Sequence, residues 1–425
     1  MTEWREVVLG DALDVLHGFA FKGEYFREEG TLIVLTPGNF FDEGGFKPKG
    51  GKEKYYDGPF PERFLLAEGD VVVAMTEQVQ GLLGSSATIP VDDVYLHNQR
   101  IGLIRITDPD LLDKRFVYHL MNTSGVRSQI QATATGSKVR HTAPARIKAV
   151  RVSVPSVPLQ RRLAAILDAI DRLIENNGRR VEVLEEMARA IYREWFVEFR
   201  YPCHEDFPLV ETPIGPAPEG WKVTTVGEVF DVVLGGTPSR KKSEYWTGGT
   251  VPWVTSTRVN DLRVLEPSEL ITTEALRSCN ATVMPKRTTL IAITGATLGQ
   301  VSALEIEACA NQSVVGVFDS DGVFSEYVYL WFKEHIGSVI SHASGSAQQH
   351  INKGTVLSTR LAIPPESVVE AFGSLVRPVF DLIVDLLAGQ AEMTAMRELL
   401  LPKLVTGQID VSRLDLDELV EVASA

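Results

Sequence analysis

The chain repeats itself at long range. "NQRIGLIRI" begins at Asn98 and "NQSVVGVFD" at Asn311, each an Asn-Gln pair running straight into a β-branched stretch 213 positions apart. The match belongs to a collinear series. "LGDALDVLHGFAFKGEYF" from Leu9 resembles "VGEVFDVVLGGTPSRKKSEYW" from Val226. Apolar runs close on Thr76 and Thr294, 218 apart; "FVYHL" at Phe116 and "YVYLW" at Tyr327 lie 211 apart; "VSVP" at Val152 and "LAIP" at Leu361 lie 209 apart. "TGSKVRH" at Thr135 answers "SGSAQQH" at Ser344. A smoothly drifting offset this long describes a duplicated domain, not a solenoid.

Each copy reads as α+β. Runs such as "FLLAEGDVVVAMT" and "RTTLIAIT" have strand character with Gly-rich punctuation. "TDPDLLDKRFVYHLMNT" opens on Asp and Pro and then takes helical spacing, as does "SEYVYLWFKEHI". Each copy then ends in a long heptad pattern. The first runs through Leu159, Leu163, Ile166, Ile170, Leu173, Asn177, Arg180, Leu184, Met187 and Ile191. The second runs through Val369, Phe372, Val376, Val379, Ile383, Leu386, Gln390, Met393 and Leu400, with Arg397 interrupting the seam. Spacings of four and three are those of a coiled coil, and polar residues inside the seam fix register. Neither helix can hide its apolar stripe alone, so the two are expected to pack together. A duplicated chain with a pseudo-two-fold axis makes that coiled coil antiparallel. Residues 159–200 as one helix would extend about 60 Å. The expected organisation is a first head over 1–157, a helix over 158–201, a linker over 202–218, a second head over 219–364, a helix over 365–407 and an acidic tail over 408–425.

Composition narrows the function. The three cysteines, Cys203, Cys279 and Cys309, include no CxxC spacing, which argues against a disulfide framework or a structural zinc. No apolar run approaches the roughly 20 residues of a membrane span, and the start has no signal-peptide pattern, so a cytoplasmic protein is expected. The net charge is −14, but residues 366–425 alone carry 11 acidic against 4 basic residues. Conversely, Arg127, Lys138, Arg140, Arg146, Lys148, Arg151, Arg161 and Arg162 follow one another with no acidic residue between. That stretch is expected to form a positive surface facing a polyanion.

Loops at matching places in the copies carry polar groups suited to base and phosphate contacts. They comprise Lys22; Lys47, Lys49 and Lys52; Gln78, Gln80, Gln99 and Arg100; and Ser137, Lys138, Arg140 and His141 in the first copy. The second copy offers Ser239, Arg240, Lys241 and Lys242; Thr297, Gln300 and Gln312; and Ser346, Gln348, Gln349, His350 and Lys353. Arg reads guanine, Gln reads adenine and Lys neutralises phosphate, so the mixture suits sequence-specific readout of double-stranded DNA.

Catalysis finds no purchase. "AIPPES" puts Ile before the prolines and Glu after them, unlike the (Asn/Asp)-Pro-Pro-aromatic motif of an adenine methyltransferase, and "GATLGQV" lacks the lysine of a P-loop. Asp113 and Lys114 stand adjacent, without the spacing of a nuclease metal site, and the histidines form no HxxxH or HxH cluster. A free-standing DNA-binding regulator and a carbohydrate-binding protein are the alternatives. A regulator would not need apolar helix faces for large partners, and a carbohydrate binder would want exposed aromatics beside carboxylates and usually an export signal, whose pattern is absent. The aromatic surface of "IYREWFVEF", with Trp195, Phe196 and Phe199, either packs on a head or receives a partner.

Taken together, "VGEVFDVVLGGTPSRKKSEYWTGGTVPWVTS", "VPSVPLQRRLAAILDAIDRLIENNGRRVEVLEEMARAIYREWFVEF", "GPAPEGWKVTTVGEV" and "MRELLLPKLVTGQIDV" make the chain resemble the specificity subunit of a type I restriction–modification system over nearly its whole length. The first head departs from the pattern, with "LHGFAFKGEYF" where the second has Gly-Gly-Thr-Pro-Ser. The resemblance implies two target recognition domains, each reading half of a bipartite target, with helices that set the gap. It implies two modification (methyltransferase) subunits that bind S-adenosylmethionine, and restriction subunits that use ATP and Mg. The chain itself would bind no cofactor or metal and catalyse nothing.

Overall fold

A computed structural model describes residues 4–78, 81–342 and 351–409. The chain divides into two compact units, one made of residues 1–175 with 392–425, the other of 176–391.

The first unit is built on a four-stranded antiparallel sheet of β1 (Leu13–His17), β2 (Val71–Ala74), β3 (Ser86–Thr88) and β4 (Ile101–Ile106), in the order β1-β4-β2-β3. Gly102 lies between His17 and Val73, and a Cβ there would come within 2.7 Å of Val15. Against one sheet face packs α1 (Lys114–Met121), which buries Phe116 and Leu120 beside Val15, Val73 and Ile104. Burying each such side chain contributes roughly 1.5–3 kcal/mol. The Asp113 carboxylate caps α1, accepting from the backbone N–H groups of Arg115 at 3.0 Å and Phe116 at 3.2 Å. Such a cap stabilises by about 1 kcal/mol, and it accounts for the Asp113–Lys114 pair without any metal. A smaller sheet of two-residue strands, including Tyr55–Tyr56 and Tyr95–Leu96, covers the other side of this unit.

The long helix α2 (Val157–Phe196) begins in the first unit and ends in the second. The second unit repeats the first unit's sheet with β5 (Asp231–Leu234), β6 (Arg263–Val264), β7 (Thr289–Ala292), β8 (Val301–Leu304) and β9 (Val314–Phe318). Their order is β5-β9-β7-β8-β6, so the first four places match β1-β4-β2-β3 and β6 is an addition. The outer ribbons match too, Arg5–Val8 with Arg151–Val154 and Lys222–Thr225 with Arg360–Ile363. Helix α3 (Ser325–His342) takes the place of α1, and α4 (Glu366–Val405) follows. The duplication read from the sequence therefore extends to strand order and pairing.

The inward face of α2 differs from the heptad assignment. Leu163 is buried and Ile166, Ile170 and Leu184 are half-buried, but Leu173 is 55% exposed and Met187 49% exposed. Ala164, Leu167, Val181, Glu185, Ala188 and Tyr192 are buried as well, none of them a heptad position. From Leu167 onward the packed face lies one residue further along, a rotation of about 100°. An apolar count passes over Ala and Glu, and that is why it misses the part of the packed face that they line and takes Leu173 and Met187 inward. On α4, Val376, Ile383 and Leu386 are buried, Val379 and Met393 half-buried, and Phe380 takes the inner place beside Val379. Phe196 packs on the core of the second head, its ring 4.9 Å from Tyr327, and Phe199 meets Trp221 at 5.4 Å.

Candidate nucleic-acid interface

In an antiparallel sheet the end of one strand lies beside the start of its neighbour. In the first unit the ends of β1 and β2 therefore meet the start of β4, and three connections converge on one rim. The Phe19 N–H donates to the His97 carbonyl at 2.8 Å, Gln99 N–H to Phe19 at 3.0 Å and Met75 N–H to Arg100 at 3.0 Å. Gly18 is required there, since a Cβ would sit 2.2 Å from the Asn98 carbonyl. The Asn98 carboxamide oxygen accepts the Arg100 N–H at 3.1 Å, an Asx turn that leaves the Gln99 and Arg100 side chains exposed.

The same turn recurs in the second unit. Asn311 Oδ1 accepts from the Ser313 N–H at 3.1 Å, and Gln312 is exposed beside it. Gly235 N–H donates to Val314 at 3.0 Å and Gly236 N–H to Ala310 at 2.8 Å; a Cβ at Gly235 would fall 2.1 Å from the Asn311 carbonyl. Thr237 donates its hydroxyl to the Gln312 carboxamide oxygen. The repeated Asn-Gln pair thus divides its labour: Asn shapes the turn and Gln stands on the rim. Gln300 is exposed and Thr297 half-buried on the loop after β7.

A second loop reaches the rim of the first unit. Arg140 and His141 pair with Glu77 and Thr76 as a short ribbon, and Thr76 Oγ1 lies 3.2 Å from His141 Nδ1. Thr135 and His141 exchange backbone hydrogen bonds at 3.0 and 2.8 Å, so Ser137 and Lys138 are presented at an exposed tip. Gln78 is exposed nearby; Gln80 and the counterpart residues Ser346, Gln348, Gln349 and His350 lie outside the described residues. Lys353 is half-buried at the start of the helix that follows.

Several expected contacts are already engaged. Arg127 is buried, donating to the carbonyls of Leu83 at 3.1 Å, Asp42 at 2.8 Å and Gly81. Arg140 donates to Glu77 at 2.9 Å and to the Gln131 carbonyl at 2.7 Å. Lys148 pairs with Asp14 at 2.9 Å and Arg161 with Asp113 at 3.2 Å. The acid-free stretch is therefore not one positive surface, because Arg140, Lys148 and Arg161 meet acids from elsewhere in the chain and Arg127 turns to backbone carbonyls; Lys138 and Arg151 stay exposed, and Arg146 is half-buried and donates to Thr135 Oγ1 at 3.3 Å. Arg240 grips Glu269 through both ends of its guanidinium, at 2.8 and 2.6 Å, and lies 3.6 Å over the Trp246 ring. Lys242 donates to the Tyr245 hydroxyl at 2.8 Å, while Ser239 and Lys241 are exposed. Lys49 is half-buried and donates to Thr36 Oγ1 at 2.5 Å, and burial lowers its pKa. It sits with the exposed Lys47 and Lys52 on the loop leading into Tyr55–Tyr56, and Lys22, also exposed, precedes the turn at Gly23–Tyr25.

The organising residue that sequence reasoning missed is Glu77. It is buried, and besides Arg140 it accepts the N–H groups of Gly81 at 3.1 Å and Leu83 at 2.8 Å, shaping the loop that carries Gln78. Its only signal was being the single acid in "MTEQVQG". Among the described residues no cluster of His, Cys, Asp and Glu could hold a metal, and no helix is long and apolar enough to cross a membrane.

Comparison with known proteins matches these units. A family model described as the type I restriction modification DNA specificity domain covers residues 1–186 and again 218–370. The type I restriction enzyme MjaIX specificity subunit of Methanocaldococcus jannaschii is 23% identical over 317 residues, spanning 74% of this chain and 73% of that one. The HindI specificity subunit of Haemophilus influenzae is 19% identical, spanning 62% and 70%. The crystal structure of a type I restriction–modification S subunit from M. genitalium shares the fold, with a TM-score of 0.61 at 15% identity over 95% of this chain and 96% of that one.

Proposed function

This chain belongs to the type I restriction modification DNA specificity family, and from that premise we propose that it reads a two-part DNA target. Residues 1–157 would recognise one block and 219–364 the other, while the helices over 158–201 and 365–407 set the gap and dock two modification subunits. The chain itself holds no cofactor and is not catalytic. S-adenosylmethionine belongs to the modification partners, and ATP with Mg to the restriction partner.

The observation that carries this reading is the recurrence of one rim at the same end of two like sheets, with Gln99 and Arg100 exposed on one and Gln312, which also accepts from Thr237, and Gln300 exposed on the other. Gln and Arg at such an edge can pair bidentately with adenine and guanine in the major groove.

Contacts within each unit support antiparallel helices. In the second unit Phe196 meets Phe372 at 4.8 Å, while a side chain at Gly178 would meet Gln390 at 3.5 Å. In the first unit Asp171 pairs with Arg397. Each step forward along α2 is a step back along α4. The outer faces support docking: Leu173, Val183 and Met187 on α2, and Leu375, Met396 and Leu399 on α4, are all exposed. Exposed apolar positions repeated along a helix mark a contact surface. A regulator acting alone would leave those faces unused.

The test exchanges the rims separately. Gln99→Ala with Arg100→Ala should change preference in one block, costing about 1–3 kcal/mol of discrimination per base contact. Gln300→Ala with Gln312→Ala should change only the other. Methylation by the assembled complex on a randomised target library reads both blocks at once. Changes in both blocks from one rim, or in neither from either, would overturn the assignment.

A further inference from the structure

Strand β6 has no partner in the first unit's sheet, and it delivers one side chain to an unusual place. Arg263 is 2% exposed, yet it carries a charge. Its guanidinium lies 3.2 Å from the Glu185 carboxylate on α2 and 3.9 Å from Glu305. The Tyr329 ring of α3 covers it at 4.2 Å and the Phe380 ring of α4 at 4.0 Å. The Tyr329 hydroxyl donates to the same Glu185 at 2.8 Å. One guanidinium thus joins the sheet of the second head to both long helices and to α3.

Around it Val181, Ala188 and Tyr192 pack in the apolar core, Arg189 of the same helix lies 3.8 Å from Glu185, and an ion pair from α2 to α3, Arg193 with Glu334 at 3.1 Å, lies toward the surface. Apolar packing tolerates sliding and rotation at modest cost, whereas a buried charge held between carboxylates and ring faces has one satisfactory arrangement. We propose that the Arg263–Glu185 clamp is a positioning device for target specificity: it locks the second head to α2 at one angle and so confines the recognised gap to one length. The proposal rests on the reading that the helices set the gap. Adding one base pair moves a half-site by about 3.4 Å and turns it by roughly 34°. A head able to rock on its helix would follow that change, and a clamped head would not.

The test uses the full chain assembled with its modification subunits, on duplexes carrying the methylated motif with its native gap or a gap one base pair shorter or longer. Glu185→Leu with Arg263→Met replaces the pair with apolar side chains, a class of exchange that commonly preserves stability. The wild type should methylate only the native gap. The double variant, melting near the wild type, should methylate at least one altered gap within about tenfold of its native rate. A folded double variant that rejects both altered gaps as strongly as the wild type overturns the clamp. Should that variant fail to fold, Glu185→Gln keeps the side chain's size and removes the charge that Arg263 meets, and gap rejection unchanged in it overturns the proposal equally. A wild type indifferent to gap length would instead overturn the reading of the helices as a ruler.

Discussion

The pair Asn98–Gln99, repeated as Asn311–Gln312, shows how adjacent residues of similar chemistry take different tasks. Asn98→Ala should remove the bond to the Arg100 N–H and cost on the order of 1 kcal/mol. Arg240 illustrates the converse. Its basic loop reads as a DNA contact, but Glu269 and Trp246 already hold both edges and one face of the guanidinium. Arg240→Ala should therefore leave the target sequence unchanged in a methylation assay, and a changed second block would place Arg240 on the bases. Buried beside the rim, His97 lies with Nε2 2.8 Å from the Ile101 carbonyl, and burial, reinforced by Arg105, pulls its pKa down to about 4. The folded state keeps it neutral, while the unfolded chain takes up a proton near pH 6.5. Stability should thus fall between pH 6.5 and about 4, by on the order of 3 kcal/mol from this group. Thermal midpoints across that range should slope less in His97→Gln than in the wild type; equal slopes would contradict the assignment. Residue types at the rim were legible in the sequence. Which charges are free was not, because Glu77, Asp14 and Glu269 reach their partners only through the fold.

At the level of elements, strands and helices follow from local pattern, while the helix face does not. The heptad count places Leu173 and Met187 inward, but the packed side of α2 is lined by Ala164, Val181, Glu185 and Ala188. Small residues let helices approach closely, and the buried Glu185 is met by Arg263 and Tyr329 as well as by Arg189 one turn along; close approach and the two distant partners have no local signature. The two faces make opposite predictions. Leu173→Lys with Met187→Glu should change stability by less than about 1 kcal/mol, yet weaken assembly with modification subunits in size-exclusion chromatography. Val181→Asp should destabilise the chain by several kcal/mol through an unpaired buried charge. Full assembly by the outer-face variant would remove those residues from the docking surface.

On the scale of the whole molecule, duplication was the most legible feature, since matched strand order follows from matched sequence in both halves. The extra strand β6 was not legible, having no counterpart to align with. If α2 and α4 together hold the heads apart, inserting one heptad into each should alter the gap and leave both blocks intact; an altered block with an unchanged gap would refute that role. The central claim, that this chain chooses a bipartite site for methylation, is tested most directly by mapping methylated bases genome-wide in host cells with its gene intact and disrupted. The account predicts that disruption abolishes methylation at one motif of two short blocks separated by a fixed gap. Methylation persisting at every motif in cells that make the modification subunits would contradict it.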